Sequence, residues 1–381
     1  MVNNKLTKKI IYISANKPWA KINLFHLLQS AAGKITKDSL YKHFNHTIHS
    51  FRRNKNVIID DLIAKIISGD YYPEPIKRIY LKGDCFDFIQ YPDKIVQRVL
   101  LKIIKPTISH IVHKYCFHRY GPHGCKKAIG HVKYGARTGR YKYMMRLDIK
   151  SYYASVGHHI LLKLLSNDYK DKRLLRLFKN IITAHLITKK GITNPHKGIY
   201  LRSPLATFFS MIYLKPLDAA FNNMDVCYAR YQDDIIILFK SKSQFYRGKR
   251  KMIAVLNNLE LQLSKKKSYM GPIKDFHFLG AKIIHAQRDV YHRGPTAELH
   301  PRSLVKAANK AAATVAIGSA THDVRRYLHL WATWWAQAIG DDRTTCLAAL
   351  YSWSKDPLLR LQIYSTIVTY EGPSADFFPT L

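Results

Sequence analysis

Two adjacent acids, Asp233-Asp234, stand between two β-prone arms, and no other stretch restricts the fold of this chain as strongly. Val226 to Tyr231 leads into Tyr231-Gln232-Asp233-Asp234, and the apolar run Ile235-Ile236-Ile237-Leu238-Phe239 leaves it. β-rich arms around a short polar tip read as a hairpin. A hairpin tip holds side chains rigidly and leaves them open to solvent. Two carboxylates forced together repel unless a cation joins them, and hard oxygen ligands suit magnesium. An Asp-Asp pair is also ordinary composition for a solvated turn. For the dipeptide alone, that plainer reading leads.

A third acid shifts the balance. Met144 to Ile149 reads as a short buried strand ending in Asp148. An acid inside such a run is costly to bury unless it is paired or bound to a metal. Three carboxylates of this kind suit two magnesium ions, which clamp the attacking and leaving oxygens of an in-line phosphoryl displacement. One ion lowers the pKa of an attacking 3′-hydroxyl, and the other stabilises the departing pyrophosphate.

In this order and spacing the residues resemble a reverse transcriptase. Tyr231-Gln232-Asp233-Asp234 looks like the YxDD box, and Asp148 followed by Tyr152-Tyr153 resembles motif A. Phe276-His277-Phe278-Leu279-Gly280 resembles the FLG primer-grip segment. The resemblance runs from about Leu62 to Tyr370 and falls with bacterial enzymes of the group II intron-like branch. That branch includes intron-encoded, diversity-generating, retron and defence-associated enzymes. The implied fold is α+β, a right-hand polymerase. Residues 1–70 would be an N-terminal helical extension and 71–142 the fingers. Residues 143–285 would be the palm, an antiparallel sheet flanked by helices, with a finger-side insertion at about 166–197; 286–381 would be a helical thumb.

The resemblance also implies roles. Asp148 and Asp233 would bridge two Mg2+ ions, with Mn2+ as an alternative; Asp234 would be more peripheral, and Ile149 counts among the metal ligands. The backbone from Ile149 to Tyr152 would lie near the triphosphate, with Gln232 also on the nucleotide side. Tyr153 stands where these enzymes place an aromatic gate against a ribose 2′-hydroxyl, favouring dNTPs; the alternative is a core aromatic. Lys267 matches the lysine that protonates pyrophosphate, a role suited to a group kept charged by nearby phosphate. In the run Lys265-Lys266-Lys267 simple phosphate contact is the competing role. Arg119, in a segment resembling the second finger motif, would grip the triphosphate. Phe278, Leu279 and Gly280 would form the primer grip.

Two departures stand out. Where the branch carries an arginine in the first finger motif, this chain has Asp84, so Lys82, Lys77 or Arg78 would have to replace it. Motif B usually reads G-x-P-x-G before Ser-Pro or Ser-Gln. Here it is Gly198-Ile199-Tyr200-Leu201-Arg202, followed by Ser203-Pro204, so Arg202 replaces a glycine beside the nascent pair. An unusual template or product geometry is the expectation, and Ser-Pro argues against a diversity-generating enzyme.

The formal net charge of +37 on 381 residues points to a polyanion partner. Interleaved aromatics suit phosphate neutralisation with base stacking. No apolar run is long enough to span a bilayer, and no secretory signal is seen at the N-terminus, so no membrane role is expected. Five scattered cysteines fit a reduced, cytoplasmic bacterial setting. His113, Cys116, His118, His123 and Cys125 match no standard zinc spacing. Tyr327, Leu328, Trp331, Trp334 and Trp335 fall at helical spacing, as a buried face or a stacking platform.

The leading expectation is an RNA-directed DNA polymerase that turns RNA template and dNTPs into cDNA. A dedicated structured non-coding RNA and anti-phage defence form the first setting, with a second protein or a homo-oligomer as further partners. No Cys/His-rich nuclease region follows the thumb, so an endonuclease of its own is not expected. A group II intron or retron-like enzyme is the alternative setting. A non-catalytic RNA-binding scaffold is a different class, against which the three acids argue. An RNA polymerase is a third option.

Overall fold

The structure, a computed structural model, describes residues 21–39, 46–81, 84–285, 297–316 and 321–371. Lys82 therefore lies outside the described residues, as does Ile317, where the sequence pattern ends a helix that begins at Leu304. The architecture is mixed helix and sheet. In chain order the strands are β1 (Ile76–Leu81), β2 (Asp84–Phe88), β3 (Tyr143–Leu147), β4 (Leu186–Thr188), β5 (Gly191–Thr193), β6 (Cys227–Tyr231), β7 (Asp234–Phe239), β8 (Tyr269–Pro272), β9 (Phe276–Phe278), β10 (Ala281–Ile283) and β11 (Ala297–Leu299). Among the described residues no helix is long and apolar enough to cross a membrane.

The chain divides into two compact units. One takes in Met1–Arg119, Ile149–Asn223 and Arg250–Leu263; the other takes in Tyr120–Asp148, Met224–Lys249 and Ser264–Leu381. Both are discontinuous in sequence, so neither matches a single linear segment.

In the first unit a four-stranded sheet runs β2-β1-β4-β5. The hairpin β1–β2 is antiparallel and sets Arg78 opposite Asp87 and Tyr80 opposite Cys85. The helix Tyr91–Ile111 follows, with a proline in its first turn, where the missing N–H costs nothing. The sequence pattern ends this helix at Ile104, but it runs through Pro106 to Ile111 because Thr107, Ile108 and Ile111 are buried. The Thr107 hydroxyl meets the buried Tyr169 hydroxyl at 2.8 Å. The helix Lys172–Ile182 buries Leu174, Leu177, Phe178 and Ile181, and Asp171 caps it by accepting from the N–H groups of Arg173 and Leu174. The sequence suggested helix from Lys170 to Ile187. The chain instead leaves the helix at Ile182 and joins the sheet as β4, parallel to β1. The Ile76 N–H takes the His185 carbonyl at 2.8 Å, so sheet pairing overrides the helical periodicity there.

In the second unit a four-stranded antiparallel sheet runs β6-β7-β3-β8. Met144, Met145, Leu147 and Ile235 to Phe239 are buried, so the apolar runs read from sequence form this core. The helix Gly124–Arg137 packs on β6. At Gly135 a Cβ would meet the Cys227 sulfur at 2.6 Å, which is why this contact needs glycine. A small sheet β11-β10-β9 follows. The helices Pro301–Ala316, Thr321–Ile339, Arg343–Trp353 and Pro357–Glu371 then pack together. The sequence pattern suggests helices from Leu304, from Val324 to Ile339 and from Thr344 to Trp353, and a fourth apolar segment from Leu358 to Tyr370.

Candidate active site

The hairpin β6–β7 closes through Gln232 and Asp233, with Tyr231 and Asp234 as its last pair. Gln232 takes φ +57, a left-handed conformation that a side chain adopts only when the surroundings impose it. Behind the tip, the fully buried Arg230 donates from Nη1 to the Gln232 carbonyl at 3.2 Å. On β3, Leu147 pairs with Ile235, so register brings Asp148, the next residue, to the end of the sheet that carries Asp233 and Asp234. The Asp148 backbone is fixed from both sides. Its N–H donates to Ser268 Oγ at 3.1 Å, and its carbonyl accepts the Ser264 N–H at 2.8 Å.

The electrostatics record this convergence. Desolvation raises the Asp233 pKa, and Asp148 adds to the rise. Asp234 is pushed up to about 6, first by desolvation and then by repulsion from Asp233 and Asp148. Its side chain is also open to solvent, which screens that repulsion. Lys267 brings its ammonium to 3.9 Å from Asp148 Oδ1, and its carbonyl accepts from Arg146 at 3.3 Å. The structure thereby singles out Lys267 from the three consecutive lysines as the one beside the acids. Among the described residues no group of three or more His, Cys, Asp or Glu closes into a metal-holding set. The Asp148, Asp233 and Asp234 donors are nonetheless hard oxygens whose mutual repulsion a divalent cation would relieve, which suits magnesium. In the His/Cys cluster, Cys116 and His118 meet at 3.5 Å.

In the same unit, Leu279 and Gly280 form a two-residue turn between β9 and β10, with φ of +49 and +85. Two left-handed residues are the mark of a tight hairpin turn that matches strand twist. Phe276 and Phe278 anchor it in the core. The Gly280 carbonyl accepts from the His300 N–H and from the Ser303 hydroxyl, both at 3.0 Å. The turn borders a cleft of about 590 Å3, which Asp234, Arg302, Lys306, Lys310, Tyr327, Trp331 and Trp335 also line. Leu328 and Trp335 are buried, so this helix supplies core and cleft wall together.

The first unit holds a second cleft, of about 410 Å3, with Tyr153 and the backbone around Ser151 to Ala154 on one wall and Gly198 to Leu201 on another. Tyr152 turns inward, its hydroxyl donating to the Ser210 carbonyl at 2.9 Å, so only its backbone can serve a nucleotide. The two walls are tied, since the Ile199 N–H donates to the Tyr153 carbonyl at 2.7 Å. Gly198 takes φ +108 at this close approach. The Leu201 N–H donates to Asp87 Oδ2 at 2.8 Å, and Ser203 Oγ donates to Gln97 Oε1 at 2.6 Å. Arg202 takes φ +66, the conformation a glycine adopts freely, and its guanidinium lies 4.5 Å from the centre of the Phe86 ring. Arg119 donates to the carbonyls of Ser109 and Val112, at the end of the helix Tyr91–Ile111.

Two residues that position these groups were not singled out from sequence. Asp87 was legible in principle, because the β1–β2 register puts it opposite Arg78. Arg230 carried no signal, since an arginine inside a strand ordinarily points to solvent.

The reverse transcriptase (RNA-dependent DNA polymerase) family profile matches residues 88–283, just over half of the chain. Protein YkfC of Escherichia coli K12 is 24% identical over 266 residues, covering 58% of this chain and 69% of YkfC. Group II intron-encoded protein LtrA of Lactococcus lactis is 25% identical over 198 residues, covering 50% of this chain and 31% of LtrA. An uncharacterized 91 kDa protein in the cob intron of Schizosaccharomyces pombe is 25% identical over 173 residues, 44% of this chain and 21% of that protein. The matched stretch thus spans about two thirds of YkfC and under a third of LtrA. With the acid box, the motif A strand and the FLG turn all inside the matched region, the chain belongs to the reverse transcriptase family of RNA-directed DNA polymerases, on its group II intron-like branch.

Proposed function

We propose that this chain makes cDNA by two-metal nucleotidyl transfer on a dedicated structured RNA. The observation that carries the reading is the convergence of Asp148, Asp233 and Asp234 at one end of one sheet, with Lys267 at 3.9 Å from Asp148. Asp148 and Asp233 would hold the ions, with Asp234 more peripheral and the Ile149 carbonyl adding a ligand. Bound magnesium supplies activation of the primer 3′-hydroxyl and charge neutralisation at the departing pyrophosphate. Lys267 holds a proton within reach of that leaving group. Tyr153 walls the cleft against a ribose 2′-hydroxyl, which favours dNTPs. The Leu279-Gly280 turn and the basic and aromatic residues beside it hold the primer strand.

Two observations support a dedicated template. The net charge of +37 suits a long polyanion. Arg202 stands where motif B usually has a glycine, with its guanidinium over the Phe86 ring, which suits an unusual template or product geometry. Anti-phage defence is the setting we assign, in the bacterial cytoplasm, with a second protein or a second copy as further partners. Similarity to LtrA, whose name is that of a group II intron-encoded protein, favours a retroelement as the second setting.

Sequencing the RNA and DNA that co-purify from the native host tests this, with an Asp233→Asn, Asp234→Asn variant alongside. One RNA bound by both proteins, with cDNA only on the wild type, is expected. RNA without cDNA on either, or full biological activity of the variant, would replace the polymerase with an RNA-binding scaffold.

A further inference from the structure

Among the described residues, no carboxylate lines the cleft beside Tyr153. Its lining residues include two cations, Arg78 and Lys197. Lys197 is paired with Glu260 at 2.7 Å. The family places a phosphate-gripping arginine at the position of Asp84, and an acid cannot take that role. Three cations of the same hairpin stand close in sequence. Lys82 lies outside the described residues. Lys77 neighbours Arg78 on β1, and successive strand residues face opposite sides of the sheet, so Lys77 points away from the face that Arg78 shares. Arg78 is the cation of β1 that reaches the cleft wall.

Its setting is built rather than incidental. Asp87 is buried, and its two carboxylate oxygens accept from Arg78 Nε at 2.8 Å and from Nη2 at 3.1 Å. A guanidinium carries five N–H groups in a rigid plane, so a contact through two of them fixes the plane and leaves donors for a second anion. Asp87 is itself immobilised, because Oδ2 also accepts the Leu201 N–H. The Arg78 side chain is 28% exposed, against 0% for that of Asp87. A buried carboxylate behind a partly open guanidinium orients it without closing it off.

We infer that Arg78, oriented by Asp87, binds the triphosphate of the incoming nucleotide in place of the arginine that this family carries at the position of Asp84. The inference rests on the polymerase reading for the identity of its ligand. Its chemistry, a polyphosphate on a two-pronged guanidinium, is testable without turnover.

The experiment is calorimetric titration of inorganic tripolyphosphate into the full chain, wild type against Arg78→Ala, Arg78→Lys and Lys77→Ala. It is paired with single-dNTP incorporation on a primed RNA. Loss of charge-assisted hydrogen bonds should weaken tripolyphosphate binding by about tenfold or more in Arg78→Ala, with a matching rise in dNTP KM. The kcat should stay within about threefold, since binding is lost and not the chemistry. Arg78→Lys keeps the charge and loses the fork, so an intermediate loss is expected; it decides the matter if the alanine variant does not fold. Lys77→Ala should bind as the wild type does. Equal losses in Arg78→Ala and Lys77→Ala would reduce the effect to diffuse charge and overturn the assignment. Unchanged binding in both Arg78 variants, or no binding by the wild type, would also overturn it. A wild type that binds tripolyphosphate but incorporates no dNTP would instead sink the polymerase reading.

Discussion

Leu201 donates its backbone N–H to Asp87, 2.8 Å away and on a different strand-bearing segment of the same unit. Two residues earlier, Ile199 donates to the Tyr153 carbonyl. The motif B segment is thus tied on one side to the hairpin that carries Arg78 and on the other to Tyr153, which lines the cleft. The cleft wall thus has two anchors, one in that hairpin and one at Tyr153.

Tyr153 lines that wall, whereas its neighbour Tyr152 is locked in the core by Ser210. Truncation at Tyr153 should therefore change selectivity more than stability. Tyr153→Ala is expected to lower the preference for dNTP over rNTP by about 10- to 100-fold, the usual worth of one steric contact. Competitive single-nucleotide incorporation checks it. A preserved ratio with a lowered melting temperature would make Tyr153 a packing residue.

Arg202 combines a cost and a gain. Its left-handed backbone costs about 1 kcal/mol or more for any residue with a Cβ, and its guanidinium over Phe86 returns about 0.5–1 kcal/mol. Arg202→Ala keeps the strain and loses the stack, so it should fall about 0.5–1 kcal/mol below the wild type. Arg202→Gly loses both and should stand close to the wild type, about 1 kcal/mol above the alanine variant. Urea unfolding of the three proteins reads the order directly. If processive cDNA synthesis is also the same in Arg202→Gly and the wild type, the arginine does not restrict the template.

Gly280 is constrained by space as well as by conformation. A Cβ there would stand 2.7 Å from Ser303 Oγ and 3.0 Å from the Trp335 ring, at φ +85. Gly280→Ala should destabilise the second unit by about 2 kcal/mol, from left-handed strain and displacement of a packed indole together. Tryptophan fluorescence during thermal unfolding should show an earlier transition. An unshifted transition would mean that the turn and the helix carrying Trp335 do not bear on each other.

Asp93 is the buried acid whose titration should be visible in stability. Desolvation raises its pKa from 3.8 to about 6, partly opposed by hydrogen bonds from the Tyr71 hydroxyl and the Glu74 N–H. The folded protein therefore holds this proton more tightly than the unfolded chain. The resulting stabilisation is complete below pH 3.8 and is lost as the pH rises through about 6. The contribution is at most about 3 kcal/mol, from two pH units at about 1.4 kcal/mol each. Unfolding free energies of the wild type and Asp93→Asn, compared from pH 4 to pH 7, should converge or diverge by about that amount. A pH-independent difference would remove Asp93 from the titration.

Much of this architecture is legible in the sequence because local patterns and the final environment agree. The run from Ile235 to Phe239 is buried on both faces, as a continuous apolar strand must be, and the polar tip before it is where the chain turns. Asp148 could be joined to that tip through the chemistry of a buried acid and through resemblance, but not through register, since strand register between distant segments has no local signature. The helix expected to reach Ile187 shows the opposite case. Its periodicity continues past Ile182, but a parallel partner, β1, captures His185 to Ile187, and that partner lies about a hundred residues upstream. Asp87 and Arg202, which support the cleft without lining it, show why such residues are hard to read. Each is defined by its contact with a loop or ring that sequence does not bring near.

Arg230 gives the acid tip a hidden dependence. Its guanidinium has no access to solvent and grips the Gln232 carbonyl from inside the sheet. A substitution at Arg230 is therefore expected to disturb the Asp233-Asp234 tip from the side that solvent does not reach. On the mechanism proposed above, such a change would imitate loss of an acid while leaving every acid in the gene intact.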